Sequence, residues 1–168
     1  HLGPTLLLRG VSLIGSLLLS IPAGSYSAVH QYSKRDYAVV TASFFGSSIP
    51  GFFLALVLVY IFTIRLGILP SSGMETLGGS GGVLDVAAHM VMPVLVLSVS
   101  MAGSNIRYIR SSVLEILEQD YLRTARAKGI GRHRVIWRHA LANALVPLVT
   151  VLGMQLPLLF GGPVLGEP

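Results

Sequence analysis

An all-α, polytopic transmembrane helical bundle is the fold this sequence predicts, on three observations. Asp, Glu, Lys and Arg make up 11% of the chain, against about 25% for an ordinary soluble domain. Mean hydropathy is +0.73, and four long apolar runs carry no charged residue. Between the last two runs stands a strongly basic, amphipathic segment, Asp120 to Asn143, holding Arg123, Arg126, Lys128, Arg132, Arg134 and Arg138, half of the 12 Lys and Arg. A soluble domain of 168 residues buries a sizeable core, but it cannot hide four such runs. Cysteine is absent, which excludes a disulfide framework and a thiolate metal site.

A helical span needs about 20 apolar residues to cross roughly 30 Å of hydrocarbon. The first expected span is 10–29, extended back to Leu6 with Arg9 near the interface, and Pro22 inside it is expected to kink it. The polar turn His30 to Asp36 comes next. The second span, 38–64, is 27 uncharged residues, about 40 Å as a straight helix. It must tilt, bend around Pro50, or extend past the membrane. The connection from Arg65 to Asp85 carries Pro70-Ser71-Ser72-Gly73 and Gly78-Gly79-Ser80-Gly81-Gly82, turn and linker chemistry. The third span is 86–105, with His89 near its start and Pro93 inside. The fourth is 140–160, interrupted by Pro147 and Pro157. The chain begins at His1 and stops at Pro168 straight after an apolar run, without a signal-peptide pattern. It is expected to be a piece of a longer membrane protein.

Orientation follows from the basic residues. Lys34, Arg35, Arg107, Arg110 and the six of the basic segment fall on one side of alternating spans, so ten of twelve share a face, which the positive-inside rule makes cytoplasmic. Arg9 and Arg65 remain on the other side.

Within the cytoplasmic segment, 111–139, Ser112-Val-Leu-Glu115 is a capping-box pattern that permits a new helix start. Asp120 fits the N-cap of a helix over 121–128, and Gly129 fits its left-handed terminus. Leu122, Ala125 and Gly129 then share a small, weakly apolar face at 3/4 spacing, ringed by Arg123, Arg126 and Lys128. Gly131 permits a second turn, and Ile136 and Trp137 are expected interfacial anchors. Two readings compete: a solvated loop that only sets topology, and a docking helix that fits a groove on a soluble partner. Pure orientation needs scattered charges, not a small-residue stripe closed by glycine.

Tyr121-Leu-Arg-Thr-Ala-Arg-Ala-Lys-Gly129, with His139-Ala-Leu-Ala-Asn143 and Pro147 downstream, closely resembles the cytoplasmic "EAA" loop of ABC-importer permeases, in the dipeptide/oligopeptide/nickel branch. Ser48-Ile49-Pro50 with Phe52-Phe53, Arg65-Leu-Gly-Ile-Leu-Pro-Ser-Ser-Gly73, and Gly161-Gly162 with Glu167 support the same branch across the whole chain. Arg123 and Thr124 stand where the general consensus has Glu and the first Ala. His139 replaces an aliphatic residue, and Gly162-Pro163 is unusual for the branch. The resemblance implies the type I permease fold, with a terminal span on each side absent from this stretch. It implies that Tyr121, Leu122, Arg123, Thr124, Ala125, Arg126, Ala127, Lys128 and Gly129 form a coupling helix seated in a separate ATPase subunit. His139, Asn143 and Pro147 complete the motif. The implied partners are a second permease subunit, two ABC ATPase subunits, an extracytoplasmic substrate-binding protein and the bilayer of a bacterial inner membrane, with no nucleic acid. The chain itself is expected to be no enzyme and to hold no cofactor, ATP and Mg being bound by the partner subunits.

Other features are weaker. A P-loop needs Gly-x4-Gly-Lys-Ser/Thr, and neither Lys34 nor Lys128 stands in that context. His30, His89, His133 and His139 show no metal-ligand spacing. Ser98, Ser100, Asn105, Asn143, Thr150 and Gln155 either line a wet path or bond between helices. The function expected is a permease subunit moving peptides or a related solute, its substrate (peptide, nickel chelate, glutathione or haem) being set largely by the binding protein. The competing readings are a channel or secondary transporter whose basic loop only sets topology, and a purely structural membrane subunit.

Overall fold

The structure is a computed structural model that describes residues 2–70, 73 and 82–161, and among these there is no strand. The linker residues 78–81, the Gly162-Pro163 pair and Glu167 lie outside the described residues. Among the described residues two helices are long and apolar enough to cross a membrane, and a bent pair makes a third if it is taken as one span.

Helix α1 (Leu2–Val29) runs through Pro22. Its packing face steps by four: Ser12, Ser16, Ser20, Gly24 and Ala28, all buried. Small residues at this spacing let two backbones approach closely where lipid supplies no hydrophobic drive. Helix α4 (Val83–Leu117, 35 residues) fills that face. A Cβ added at Gly24 would meet the Ile106 carbonyl oxygen at 2.8 Å and Ile109 at 3.0 Å. The Ser98 hydroxyl donates to the Ser12 carbonyl at 3.0 Å, and the Asn105 amide donates to the Ser16 hydroxyl at 3.0 Å. Ser98 and Asn105 therefore bond between helices, one of the two roles open to them from sequence.

The second apolar run does not form one rod. Helices α2 (Lys34–Ser48) and α3 (Gly51–Leu58, continued by a π-helical turn Val59–Arg65) meet at 97°. Of the three accommodations open to this long run, bending is the one taken. The cause is local: proline disfavours the helical region for the residue before it. Ile49 is extended at ψ 122°, Pro50 sits next to it at ψ 132°, and Pro50 has no N–H with which to carry the helix on.

Helix α4 also departs from expectation, because the capping-box pattern at Ser112 starts nothing. The helix continues through it to Leu117. Val113 is buried at 1% exposure in a cluster with Ala28, Ile109, Ala144 and Leu148, so tertiary packing of α1, α4 and α7 (Leu141–Gly161) outweighs the local cap. At about 1.5 Å per residue α4 measures about 52 Å, well beyond the roughly 30 Å of hydrocarbon. Its final turns can therefore stand clear of the hydrocarbon and support the basic segment. That segment forms α5 (Asp120–Ala127), α6 (Arg132–Arg134) and a π-helical stretch (Val135–Ala140) that leads into α7. The expected fourth span falls on α7.

Helix α2 crosses α4 at Gly103. A Cβ there would overlap the Ser43 carbonyl oxygen and stand 2.9 Å from the Ser47 nitrogen. These are backbone atoms that cannot step aside. Gly103→Ala is expected to cost about 1–3 kcal/mol by overpacking, read as a lower melting temperature of the purified full-length protein. Gly10→Ala, with open space around it, is the control and should leave stability equal or slightly higher.

Candidate functional site

The basic segment folds back on the end of α4. Helix α5 begins directly after a tight turn in which the Gln119 amide donates to the Ile116 carbonyl. Asp120 is its first residue rather than its cap, and its negative charge suits that end of the helix dipole. Thr124 donates its hydroxyl to the Asp120 carbonyl at 3.0 Å. Gly129 has φ +79°, the left-handed conformation that glycine adopts without a Cβ penalty.

Leu122 is fully buried, with Val135 and Ala140, against Ile116, Leu117 and Ile130. It faces its own chain, so it anchors α5 to the end of α4. Outward stand Tyr121, Thr124, Ala127, Lys128 and Gly129, all exposed. Arg123, Ala125 and Arg126 lie on α5, and His139 on the π-helical segment, with side chains outside the described ones. The Asn143 amide donates to the Tyr121 hydroxyl at 3.1 Å, which joins two halves of the motif 22 residues apart. Pro147 is exposed one turn further along α7. Of the expected interfacial anchors, Trp137 is half-exposed and Ile136 is buried. His89 is nearly buried, and its Nδ1 donates to the Asp85 carbonyl at 2.8 Å, an internal tie within α4.

The most tightly built polar group lies beside this segment and was not singled out from sequence. Asp36 is 2% exposed. Arg110 donates to it through Nε and Nη2, each at 2.8 Å. The Ser27 hydroxyl donates to Oδ1, and the Tyr32 amide donates to Oδ2 at 2.9 Å. Four donors match the roughly four lone-pair sites of an ionised carboxylate. Tyr32 takes φ +62°, a conformation uncommon outside glycine, as it presents that amide. Asp36 closes the polar turn ahead of the apolar run, and hydrogen bonding to Arg110 holds its carboxyl well below the usual carboxylate range. The same pairing raises Arg110. One turn along α4, Arg107 donates from Nη1 to the Ser43 carbonyl and the Ser47 hydroxyl at 3.1 and 3.0 Å, its guanidinium 4.6 Å from the centre of the Phe44 ring. Counted from sequence as topology-setting charges, Arg107 and Arg110 are bound into the bundle. The signal available beforehand was Asp36 itself, the acid in an otherwise basic turn.

The profile of the family described as "Binding-protein-dependent transport system inner membrane component" matches residues 20–167. The chain belongs to that family. It is 43% identical over 163 residues, 97% of its length, to the oligopeptide transport system permease protein AppB of Bacillus subtilis. It is 34% identical over 164 residues, 98% of its length, to the glutathione transport system permease protein GsiC of Escherichia coli strain K12. It spans about half the length of these curated relatives, 52% and 50% respectively. The resemblance to the dipeptide/oligopeptide branch of ABC-importer permeases is thereby shown, and with it an all-helical membrane permease fold. The family is one of transport permease subunits, not enzymes.

Proposed function

We propose that this chain belongs to a membrane-spanning permease subunit that lines the path for peptides or a related solute in an ATP-driven importer. The segment 120–143 couples it to ATPase subunits. The observation that carries this reading is the fixing of α5: a short basic helix, stopped by a left-handed glycine and anchored to a long helix by one buried leucine, is a rigid projection. A projection transmits force only when a partner grips it. The basic end of the bundle then faces the cytoplasm, ATP and Mg belong to two ATPase partners, and a second permease and an extracytoplasmic binding protein complete the assembly in the inner membrane. The oligopeptide and glutathione named for the relatives support a short peptide as solute.

In the complete importer, Ala125→Arg is expected to abolish ATP-driven uptake by placing a long charged side chain where a close-fitting cleft must accept a methyl group. The full-length variant should reach the membrane at wild-type level. Wild-type uptake in that variant removes the docking role. Uptake by the wild-type assembly that persists when ATP is withdrawn would instead favour a channel or secondary transporter.

A further inference from the structure

The long helix α4 touches the coupling segment at one end and the bent pair α2–α3 along its side. Ile116 and Leu117 pack on Leu122, Val135 and Ala140, so α5 and the end of α4 form one packed unit. Less than two turns earlier, Arg110 grips Asp36 at the start of α2, and Arg107 reaches Ser43 and Ser47 two to three turns along the same helix. Gly103 brings the two backbones together at that crossing. Nothing comparable ties α3 beyond Pro50 among the described residues: its large side chains Phe52, Phe53 and Leu56 are exposed.

A buried, bidentate ion pair with every acceptor site filled fixes both distance and angle, which a greasy contact between small residues does not. We propose that Asp36 and Arg110 are positioning residues that lock the start of the bent pair to α4, so that displacement of the coupling segment carries α2 with it and the flexure falls at Ile49-Pro50. This rests on the reading of α5 as the ATPase-docking element. Ser27 and the Tyr32 amide add the end of α1 to the same lock. The unit that moves is therefore α1, α2, α4 and α5 together, and α3 is the arm that changes angle.

The test uses the full-length permease in its assembled importer, reconstituted in vesicles. The wild type is read first, for ATP-dependent uptake. Its absence would defeat the functional reading, and the lock's transport role with it, before any variant is made. The stretch has no cysteine, so Lys34→Cys and Glu115→Cys, both exposed, place spin labels on α2 and α4 with the lock intact. The label separation is expected to stay constant between nucleotide-free and ATP-trapped states. A change of more than about 5 Å, one helical turn, overturns the proposal. Separately, Asp36→Asn with Arg110→Gln removes both charges and leaves neither orphaned. Solute imported per ATP hydrolysed is expected to fall about tenfold while ATP hydrolysis persists, a large effect for a position within a coupling network. A merely structural role would lower the amount of assembled importer and leave that ratio unchanged. A ratio equal to the wild type's overturns the lock. If the pair variant fails to assemble, the label separation alone decides.

Discussion

Asp36→Ala is expected to destabilise the full-length protein by roughly 3–5 kcal/mol, because it leaves the Arg110 guanidinium partly buried with no counter-charge. The Ser27 hydroxyl and the Tyr32 amide lose their acceptor in the same step. Removing both partners should cost less than removing one. Asp36→Ala with Arg110→Ala discards the orphaned charge along with the pair, and replacing a whole buried ion pair by apolar groups is often close to neutral. The measurement is a double-mutant cycle on melting of the purified permease, in which a strongly favourable interaction between the two positions is expected. Additive single effects would show that the pair is an accident of proximity. The same carboxylate sets a pH dependence. Its folded value is depressed, so it binds a proton less readily when folded than when unfolded. Its stabilising contribution is complete above the ordinary Asp value of about 3.9 and is lost as the pH falls below it. The Asp36→Ala variant should show a flatter acid limb.

Leu122→Ala is expected to act locally. A fully buried leucine truncated to alanine costs about 2–5 kcal/mol where the site cannot collapse. Here the site is a small satellite cluster at the end of α4, with Val135 and Ala140 as its other buried members. The cost therefore falls on the docking of α5 rather than on the bundle, and local opening comes from regions with few buried contacts. Amide exchange over 120–131 should accelerate by about tenfold or more, 1.4 kcal/mol being worth a factor of ten, while the amides of α1 and of the centre of α4 keep wild-type protection. Leu122→Met, which conserves volume, should restore most of the protection. Equal exchange in Leu122→Ala and wild type would mean that α5 is held by something other than this side chain.

The basic segment was largely legible beforehand because its signals are local. Gly129 at a helix stop is a one-residue statement about φ, and φ +79° meets it. The helix itself needs only the periodicity of residues 120–128. That Leu122 packs on its own chain was not legible, because 3/4 spacing says which residues share a face, not what that face meets. The chain that covers it, Val135 to Ala140, lies across a turn whose path no short-range pattern dictates. Ser112 failed for a related reason: a cap is worth about 1 kcal/mol, and continuing α4 buries Val113 in the core cluster. The small-residue steps from Ser12 to Ala28 were not singled out from sequence, although small residues at spacing four suit a close helix contact, and nothing local named α4 as the partner.

Composition and hydropathy by themselves determined that this is a helical membrane protein, because lipid leaves the backbone no other way to satisfy its polar groups. The residues from Tyr121 to Pro147 determined which family it belongs to. Only the tertiary structure decided that Asp36 meets Arg110, 74 positions away, that the run across Pro50 folds into two arms, and that Arg107 and Arg110 are internal ties. Those outcomes depend on which helices lie side by side. Non-local pairing is set by the whole set of packing faces at once, whereas a sequence pattern reports one face at a time.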